Sequence, residues 1–243
     1  MDESAVDWLA PGWSDLIASA RQWQPPLVPT LVAVPHPDDE SLSTGGLIAY
    51  LRRHEIPVVV LAVTDGGAAY PDEMRANELA YLRRNEQRRA LEHLSVSRSD
   101  VWRIGLDDGR VAGDEPTVRG MIGCATEHHS IEHIVAPWVH DHHADHEAVG
   151  RAGDAVASML GLPITFSLFW ALHHSPAPSP SAFRLHRLSL TDDEQRVKRV
   201  AIESHESQLS TMVSPSPVLD QRMLGITAWP FEVFLSRSHD DAG

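Results

Sequence analysis

Short apolar segments alternate with helical patterns along this chain, and this alternation limits the fold more than any other feature. The segments at residues 30–35, 57–67 and 133–139 contain almost continuous apolar runs. Such runs are typical of parallel strands that are buried on both faces of a sheet. Strands separated by helices build a sheet from successive strand–helix–strand units. The sequence therefore predicts an α/β fold with a mostly parallel sheet and helices on both faces.

This arrangement is Rossmann-like, and it predicts where a binding site should lie. Further strands are expected at 101–106, 163–172 and 231–237, and helices at 13–23, 44–55, 72–94, 115–128, 145–160 and 191–205. A Pro/Ser-rich loop is expected at 175–181. In open parallel sheets, ligands bind beyond the carboxyl ends of the strands. We therefore expect the active site at that edge, just after strands.

Length and composition indicate a single domain over residues 1–243. A chain of this length can bury a substantial core, and no repeat or long linker divides it. The formal net charge of −14 disfavours nucleic acid and anionic membranes, since both favour basic partners. No apolar run approaches the ~20 residues of a membrane helix. One cysteine, Cys124, and an acidic N-terminus without an export signal favour a cytoplasmic location. The sequence leaves open whether the chain forms a homo-oligomer.

Two clusters of acidic and imidazole side chains follow two of the predicted strands. The first cluster is His36, Asp38, Asp39 and Glu40, directly after the first strand. The second is HDHHADHEAVG at 140–150, directly after the fourth strand. The carboxyl ends of parallel strands share one edge of the sheet, so these clusters should meet there. Adjacent carboxylates are costly to desolvate unless a cation lies among them.

Each cluster also has an ordinary structural explanation. Acids after a strand are often helix N-caps or first-turn residues, and residues 38–40 precede a predicted helix. A histidine-rich loop is often a solvated surface. Because both clusters fall on one predicted edge, these two explanations are together less plausible than metal binding. Imidazole and carboxylate are zinc-type ligands, and a catalytic zinc keeps three protein ligands and an open position. Iron, manganese and cobalt stay alternatives to one Zn²⁺ per chain, because neither cluster contains a thiolate.

The motifs in these clusters resemble those of a known family. VPHPDDE at 34–40 resembles the (A/P)HPDDE signature of the LmbE-like zinc deacetylases, also called the PIG-L deacetylase family. HHADH at 142–146 resembles the second motif of that family, H-x-D-H. Weaker resemblances include TDGG, LDDG, Arg83-x-x-Glu86 and KRVAIESHESQ. The resemblance covers about residues 28–235 and leaves 1–27 as an N-terminal helical extension.

The resemblance implies a role for each residue that matches a motif position. It implies three zinc ligands, His36, Asp39 and His146. Asp38 would be the general base, and His143 would polarise the substrate or stabilise the oxyanion, with support from Asp145. Some members of the family carry a tyrosine before the second motif that assists the oxyanion; none stands here, so that role is either absent or taken by His140 or His142. If Asp145 begins a helix, His142 also stands one helical turn before His146, a spacing that lets two histidines share a metal.

These roles form a coherent reaction. Zinc lowers the pKa of water enough for a carboxylate such as Asp38 to remove a proton at neutral pH. Attack on an amide carbonyl then produces an oxyanion, which a donor such as His143 would stabilise. The protonated Asp38 could pass its proton to the departing amine. Glu40 is either a partner of His36 or a first-turn helix acid.

The sequence limits the substrate less than the reaction. The usual substrate in the family is an N-acetylated glucosamine unit joined to another group, which implies a small-molecule N-acetylated amino-sugar conjugate here. Candidate substrate-binding residues are Asp108 in the LDDG turn, Arg75 after the second strand, and His142. Each also fits an ordinary turn or surface position. Trp138 and Trp170 are expected in the core, with sugar stacking as the alternative.

Three functions are consistent with the sequence. The leading one is a zinc-dependent hydrolase that removes the N-acetyl group from an N-acetylglucosamine-type conjugate. The second is an amidase of a thiol or other amide conjugate. The third is a non-catalytic, metal-binding member of the fold, which Asp38 argues against because metal binding alone needs no base. A dinucleotide-dependent dehydrogenase is disfavoured, since no G-x-G-x-x-G follows the first strand.

Overall fold

A computed structural model describes residues 8–72, 74–179 and 183–237. Its strands are β1 (Arg21–Gln22), β2 (Thr30–Val34), β3 (Val58–Thr64), β4 (Val101–Leu106), β5 (His133–Pro137), β6 (Ile164–Ser167), β7 (Phe183–Ser189) and β8 (Phe231–Arg237). Its α-helices are α1 (Trp13–Ala18), α2 (Asp39–Arg53), α3 (Ala76–His93), α4 (Glu115–His128), α5 (Ala144–Leu160), α6 (Trp170–His174), α7 (Asp192–Glu203), α8 (Glu206–Leu209) and α9 (Gln221–Gly225). The start of the predicted N-terminal extension and the end of the predicted Pro/Ser loop lie outside the described residues.

The eight strands of the described residues form one sheet, in the order β1-β7-β8-β6-β5-β2-β3-β4. Neighbouring strands are parallel except at β8, which is antiparallel to β6 and β7. Helical segments separate successive strands from β2 to β6, and a crossover of this kind is what parallel pairing requires. The predicted α/β fold with a mostly parallel sheet is confirmed.

Alternate side chains of the central strands enter two cores, one on each face of the sheet. In β3, Val58 and Val60 share a core with residues of α2 and α3. Val59 and Leu61, which point the other way, share a core with residues of α4 and α5. Every residue of β3 is buried. A strand covered on both faces must be apolar throughout, which explains the continuous apolar runs of the sequence.

The order of the strands reverses beside β2. The chain passes from β2 to β3 and β4 on one side, and then returns to place β5 on the other side of β2. A crevice opens at such a reversal because the helices that follow the two adjacent strands cover opposite faces of the sheet. The carboxyl ends of β2 and β5 are therefore where this fold places a binding site.

Two segments differ from their predicted secondary structure. The helix expected at 13–23 ends at Ala18, because Arg21–Gln22 pairs with β7 as an edge strand. The strand expected at 163–172 ends at Ser167, and its last residues form α6. Asp141 causes this second change, since its Oδ1 accepts hydrogen bonds from the backbone of Phe169 and Ala171 at 3.2 and 3.0 Å.

β7 was not expected from the sequence, where its Arg and His residues hide the strand pattern. Its pairing with β8 along seven residue positions supplies the missing stabilisation. Within the residues described, no helix has the length and apolar character needed to cross a membrane.

Candidate active site

The carboxyl ends of β2, β4 and β5 bring the predicted site residues together. The chain leaves β2 through His36 and enters α2 at Asp39. It leaves β5 at Pro137 and enters α5 at Ala144, so the second cluster spans the connection and the first helical turn. Because β2 and β5 are paired neighbours, the two clusters meet as the parallel sheet predicts. The turn after β4 adds Asp108.

His36 lies among three carboxylates. Its Nδ1 is 3.4 Å from Asp39 Oδ2, and its Nε2 is 3.0 Å from Asp108 Oδ1 and 3.2 Å from Asp145 Oδ2. Burial alone would lower the pKa of His36, but its hydrogen bonds to these carboxylates outweigh burial and raise the pKa well above its usual value. Surroundings that stabilise a buried imidazolium in this way favour a bound cation.

His146 is oriented by a carboxylate behind it. Its Nδ1 is 2.9 Å from Asp141 Oδ2, which holds a ring proton on Nδ1, so that the ring in its neutral form has its lone pair on Nε2. Nε2 is buried and lies 3.3 Å from Asp39 Oδ1, but without hydrogen-bond geometry to any described residue. Burial lowers the pKa of His146, while Asp39 and Asp141 outweigh it and raise the pKa to about 9.

These side chains fit a divalent metal ion. Ligand atoms of His36, His143 and His146 lie within 4.8 Å of one another, and so do those of His36, Asp108 and Asp145. Asp39 extends the first set, since its two carboxylate oxygens are 3.4 Å from His36 and 3.3 Å from His146. The unpartnered Nε2 of His146 and the mixed imidazole and carboxylate donors suit a divalent transition metal.

Asp38 lies beside this cluster in a strained backbone conformation. Its φ of 116° falls in a region that side chains other than glycine rarely adopt. Arg83 holds the carboxylate, with Nη2 3.0 Å from Asp38 Oδ2. Burial raises the pKa of Asp38 to about 6, against the lowering effect of Arg83. A carboxyl that titrates near neutral pH can both accept and return a proton.

His143 lies close to the two buried imidazoles of His36 and His146. Its ring centre is 4.9 Å from that of His36 and 5.0 Å from that of His146. Its Nδ1 accepts a hydrogen bond from the backbone N–H of Asp145 at 3.3 Å. Burial, with the nearby His146 and His36 charges, lowers the pKa of His143 to about 4. The ring is therefore neutral at pH 7, with its proton on Nε2.

The carboxylate of Asp145 has a different partner from the expected one. Asp145 was expected to support His143, and it does so through its backbone N–H, whereas its carboxylate Oδ2 contacts His36 Nε2 at 3.2 Å. The same carboxylate accepts hydrogen bonds from the backbone N–H groups of Gly109 and Val111, at 2.7 and 3.1 Å. Asp145 stands in the first turn of α5 and points back towards the turn after β4, which explains why it reaches these groups rather than the His143 ring.

The three candidate substrate-binding residues have different positions. Asp108 lines the cavity, but both its oxygens are engaged, one by His36 at 3.0 Å and one by the Ala68 N–H at 2.8 Å. Arg75 is exposed at the start of α3 and does not line the cavity. His142 is also exposed and outside the cavity lining.

His142 precedes α5 rather than belonging to it. Its backbone φ is +62°, and its Nδ1 lies 3.1 Å from Ser175 Oγ. The helical spacing expected between His142 and His146 is therefore wrong, because the helix begins at Ala144. Neither His142 nor the exposed His140 faces the metal cluster.

Two functional contacts were missed by sequence reasoning. The first is Asp141 behind His146, and no pattern in the histidine-rich segment distinguishes it. The second is the hydrogen bond from Arg83 to Asp38. The weak motif Arg83-x-x-Glu86 was the one sequence feature that pointed to Arg83. Glu86 anchors the same helix, since its carboxylate accepts hydrogen bonds from Ser207 N and Oγ at 2.8 and 2.6 Å.

Glu40 contacts other residues than His36. Its carboxylate lies 2.8 Å from Gln87 Nε2 and 3.3 Å from His205 Nε2. It is thus a first-turn acid of α2 that joins α2 to α3 and to the residue that precedes α8. This buried network lies behind Asp38 and ties the KRVAIESHESQ segment to the site.

The site opens into a cavity of about 300 Å³. Trp170 lines it and packs against His143, with ring centres 5.8 Å apart. Trp138 is instead buried in the core, where its ring meets that of Trp13 at 6.1 Å. The expectation of a core position is therefore correct for Trp138, whereas Trp170 is partly buried, packing against the core and also lining the cavity.

Comparisons with known proteins point to one family. Residues 31–157, just over half of the chain, match the PIG-L family, described as GlcNAc-PI de-N-acetylase. The chain is 29% identical over 183 residues to diacetylchitobiose deacetylase of Thermococcus kodakarensis, covering 72% of this chain and 67% of that one. It is 31% identical over 128 residues to a probable N-acetyl-alpha-D-glucosaminyl L-malate deacetylase 2 of Bacillus subtilis, covering 50% and 57%.

Solved structures share the fold. The A40926 pseudoaglycone deacetylase Dbv21 superposes with a TM-score of 0.68 at 21% identity, covering 86% of this chain and 96% of that one. The zinc-inhibited form of teicoplanin deacetylase Orf2 gives a TM-score of 0.66 at 19% identity, covering 88% and 99%. The named relatives are deacetylases, which confirms the predicted class of amide hydrolase. The predicted family is confirmed as well: this chain belongs to the PIG-L family.

Proposed function

We propose that this protein is a metal-dependent N-deacetylase that removes the N-acetyl group from an N-acetylglucosamine-type amino-sugar conjugate. The observation that carries the proposal is a buried Asp38, with a pKa of about 6, beside a cluster of histidines and carboxylates in a cavity. The names of the relatives, which include diacetylchitobiose and N-acetylglucosaminyl malate deacetylases, support the substrate class. A cytoplasmic location and a homo-oligomer stay predictions.

His36, Asp39 and His146 would hold the metal ion, with zinc as the first expectation. When bound, such an ion polarises a carbonyl oxygen and lowers the pKa of water. Other carboxylates of the protein hold two of these ligands, His36 and His146, in position. Asp141 holds the Nδ1 proton of His146, and Asp108 and Asp145 hold the Nε2 side of His36. Partners of this kind fix the orientation of a ligand histidine and raise its basicity.

Asp38 moves the proton. Its Oδ2 is held by Arg83, so we assign proton transfer to Oδ1. With a pKa of about 6, Asp38 is mostly ionised at pH 7 and can take a proton from the attacking water. The water oxygen forms a bond to the carbonyl carbon, and Asp38 then gives the proton to the amine nitrogen as the carbon–nitrogen bond breaks. The products are acetate and a free amine.

His143 stabilises the negative charge that develops on the carbonyl oxygen. A neutral ring with Nδ1 accepting from the Asp145 backbone carries its proton on Nε2, which is then a donor. A preorganised donor in a site of low water content is worth about 10²–10³-fold in turnover in related chemistry. Trp170 packs against His143 and limits its movement.

The test is release of free amine from a panel of N-acetylglucosamine conjugates by the metal-loaded protein. We expect release by the wild-type protein and none above background by Asp38→Asn. The matched control is Asp193→Asn, which changes an exposed carboxylate of α7 whose partner is Arg196. It should behave as the wild-type protein does.

Three outcomes separate the alternatives. Release that survives in Asp38→Asn would remove Asp38 from the mechanism. No amine release from any conjugate, with one metal bound per chain, would contradict the amino-sugar substrate and favour the amidase hypothesis. No amine release, together with no metal bound after dialysis against zinc, would contradict the proposed metal site.

A further inference from the structure

The residues that line the cavity fall into two chemical groups. The polar group is the catalytic cluster described above, together with Gln208. Apolar side chains make up the rest: Ala68 and Ala69, and a group that we call the apolar wall, Leu42, Phe169, Trp170, Val218 and Leu219. Leu42, Phe169 and Leu219 are almost fully buried, whereas Trp170 and Val218 are partly open to the cavity. A cavity of about 300 Å³ is at the small end for ligand sites, so a conjugate larger than one sugar would fill it and contact both groups of residues.

The apolar wall is held in place by hydrogen bonds of its own backbone. The Val218 N–H donates to Tyr70 Oη at 2.9 Å, and the Leu219 N–H donates to the Gln208 carbonyl at 3.2 Å. Trp170 stands between two residues whose N–H groups bind Asp141, the same carboxylate that orients His146. The wall therefore has a fixed position relative to the catalytic cluster and does not need to form when a ligand binds.

The cavity offers no free cation to an acidic ligand. Arg83 is the only arginine or lysine among the lining residues, all of which belong to the described part of the chain. Its guanidinium already donates to Asp38 Oδ2, the Pro37 carbonyl and the Gly66 carbonyl, at 3.0, 2.6 and 2.9 Å. Three carboxylates, those of Asp38, Asp39 and Asp108, line the same cavity. An anionic group brought against the apolar wall would lose its hydration without gaining a partner, which is costly.

We propose that the amino sugar acted on by this protein carries a neutral, apolar group, and that Trp170 and Val218 select that group. The inference rests on the proposed function and narrows it. It predicts that malate- and phosphate-linked amino sugars are poor substrates, because their acidic groups would require a free cation at this wall. The neutral group gains by burying its own apolar surface together with that of the wall.

The test compares three glycosides of N-acetylglucosamine with the same anomeric configuration: methyl, phenyl and 4-carboxyphenyl. We expect the phenyl glycoside to have a kcat/KM about tenfold above the methyl glycoside, chiefly through KM, as burial of an aromatic group predicts. The 4-carboxyphenyl glycoside, which differs by one charge, should fall at least about tenfold below the phenyl glycoside. Equal turnover of the charged and neutral aryl glycosides would overturn the inference and leave the proposed function standing.

A binding measurement makes the inference independent of turnover. The matching glucosamine glycosides, which are the reaction products, are titrated into metal-free protein and followed by calorimetry. Phenyl glucosaminide should bind more tightly than methyl glucosaminide. Binding of the phenyl compound no tighter than that of the methyl compound overturns the inference. Failure of the proposed function would instead show as absent turnover of all three N-acetyl glycosides.

Two variants locate the selectivity. Trp170→Leu should reduce the phenyl-to-methyl binding ratio towards one, whereas Trp102→Leu, a half-buried tryptophan of β4 that packs against His128 outside the cavity, should leave it unchanged. Val218→Arg adds the missing cation and should invert the preference between phenyl and 4-carboxyphenyl glucosaminides. A Val218→Arg variant that keeps the wild-type preference would show that this wall does not contact the attached group.

Discussion

At the scale of single residues, the site depends on which donor and acceptor atoms are already engaged. Arg83 holds one oxygen of Asp38, and Asp141 holds one nitrogen of His146. In both side chains the remaining atom is the one that we assign to chemistry, a proton carrier in the first and a metal ligand in the second. The different roles of residues in this charged cluster can therefore be distinguished by experiment.

Asp38→Asn and His146→Ala should fail in different ways. Asp38→Asn keeps the ligand set and should keep its zinc, but lose turnover by at least about 10²–10⁴-fold, the usual effect of removing a general base, so that amine release falls to background. His146→Ala removes a ligand and should lose both zinc and turnover. Metal content after dialysis and amine release distinguish the two, and equal metal loss in both variants would contradict the assigned roles.

Gly66→Ala tests the support of Asp38 by Arg83. Gly66 has a φ of +68°, and a Cβ added there would collide with the Arg83 guanidinium. Gly105→Ala is the matched control, because Gly105 has a φ of +77° and no described atom within 4 Å of the added Cβ. Both variants should lose about 1–2 kcal/mol of unfolding free energy through backbone strain. Only Gly66→Ala should also lose turnover. Equal activity in the two variants would argue against a role for Arg83.

At the scale of elements, the contact of α5 with β5 fixes the distance between the two clusters. α5 carries Asp145 and His146, and it approaches the segment after β5 closely at Gly150. A Cβ added to Gly150 would collide with the Pro137 carbonyl oxygen and lie 3.2 Å from the Val139 nitrogen. Because both are backbone atoms, the helix would have to move, and His146 would move with it.

Gly150→Ala should therefore lower the free energy of unfolding by about 1–3 kcal/mol, as overpacking does, and weaken zinc binding as well. Gly120→Ala in α4 provides the contrast, since the added Cβ meets no described atom within 4 Å. That variant should gain about 0.4–1 kcal/mol, because alanine restricts the unfolded chain and favours a helix. Chemical denaturation measures both changes. A Gly150→Ala variant as stable as the wild-type protein would contradict the close contact.

At the scale of the whole molecule, a buried histidine couples stability to pH. His133 in β5 is 1% exposed, with Nε2 2.9 Å from Thr165 Oγ1 on the neighbouring strand β6. Burial lowers its pKa to about 4. The unfolded chain takes up this proton near pH 6.5, whereas the folded protein does so only near pH 4. Stability from the neutral ring is therefore complete above pH 6.5 and falls as pH decreases to 4.

The loss over this range should be about 3 kcal/mol. His133→Gln keeps a polar side chain but does not titrate, so the difference in unfolding free energy between the wild-type protein and this variant should shrink as the pH is lowered from 7 to 4. Urea denaturation at several pH values measures that difference. A difference that stays constant with pH would show that His133 is not responsible.

The sequence predicted the sheet and the meeting of the two clusters for the same reason. A strand covered on both faces must be apolar throughout, so β2, β3 and β5 are visible as continuous runs. Polar residues directly after such runs must lie at the carboxyl edge of a parallel sheet. The confirmed parallel pairing of β2 with β5 then brings His36 and His146 together without any further information.

The sequence alone therefore determined the fold class, the edge that carries the site and the residue types gathered there, because these follow from local periodicity and strand direction. Only the tertiary structure decided which atoms meet. The pairing of Asp145 with His36, of Arg83 with Asp38 and the redirection of residues 168–172 by Asp141 depend on how α3 and α5 pack on the sheet. Such contacts join positions far apart in the chain, and packing sets their geometry over distances that no local pattern records.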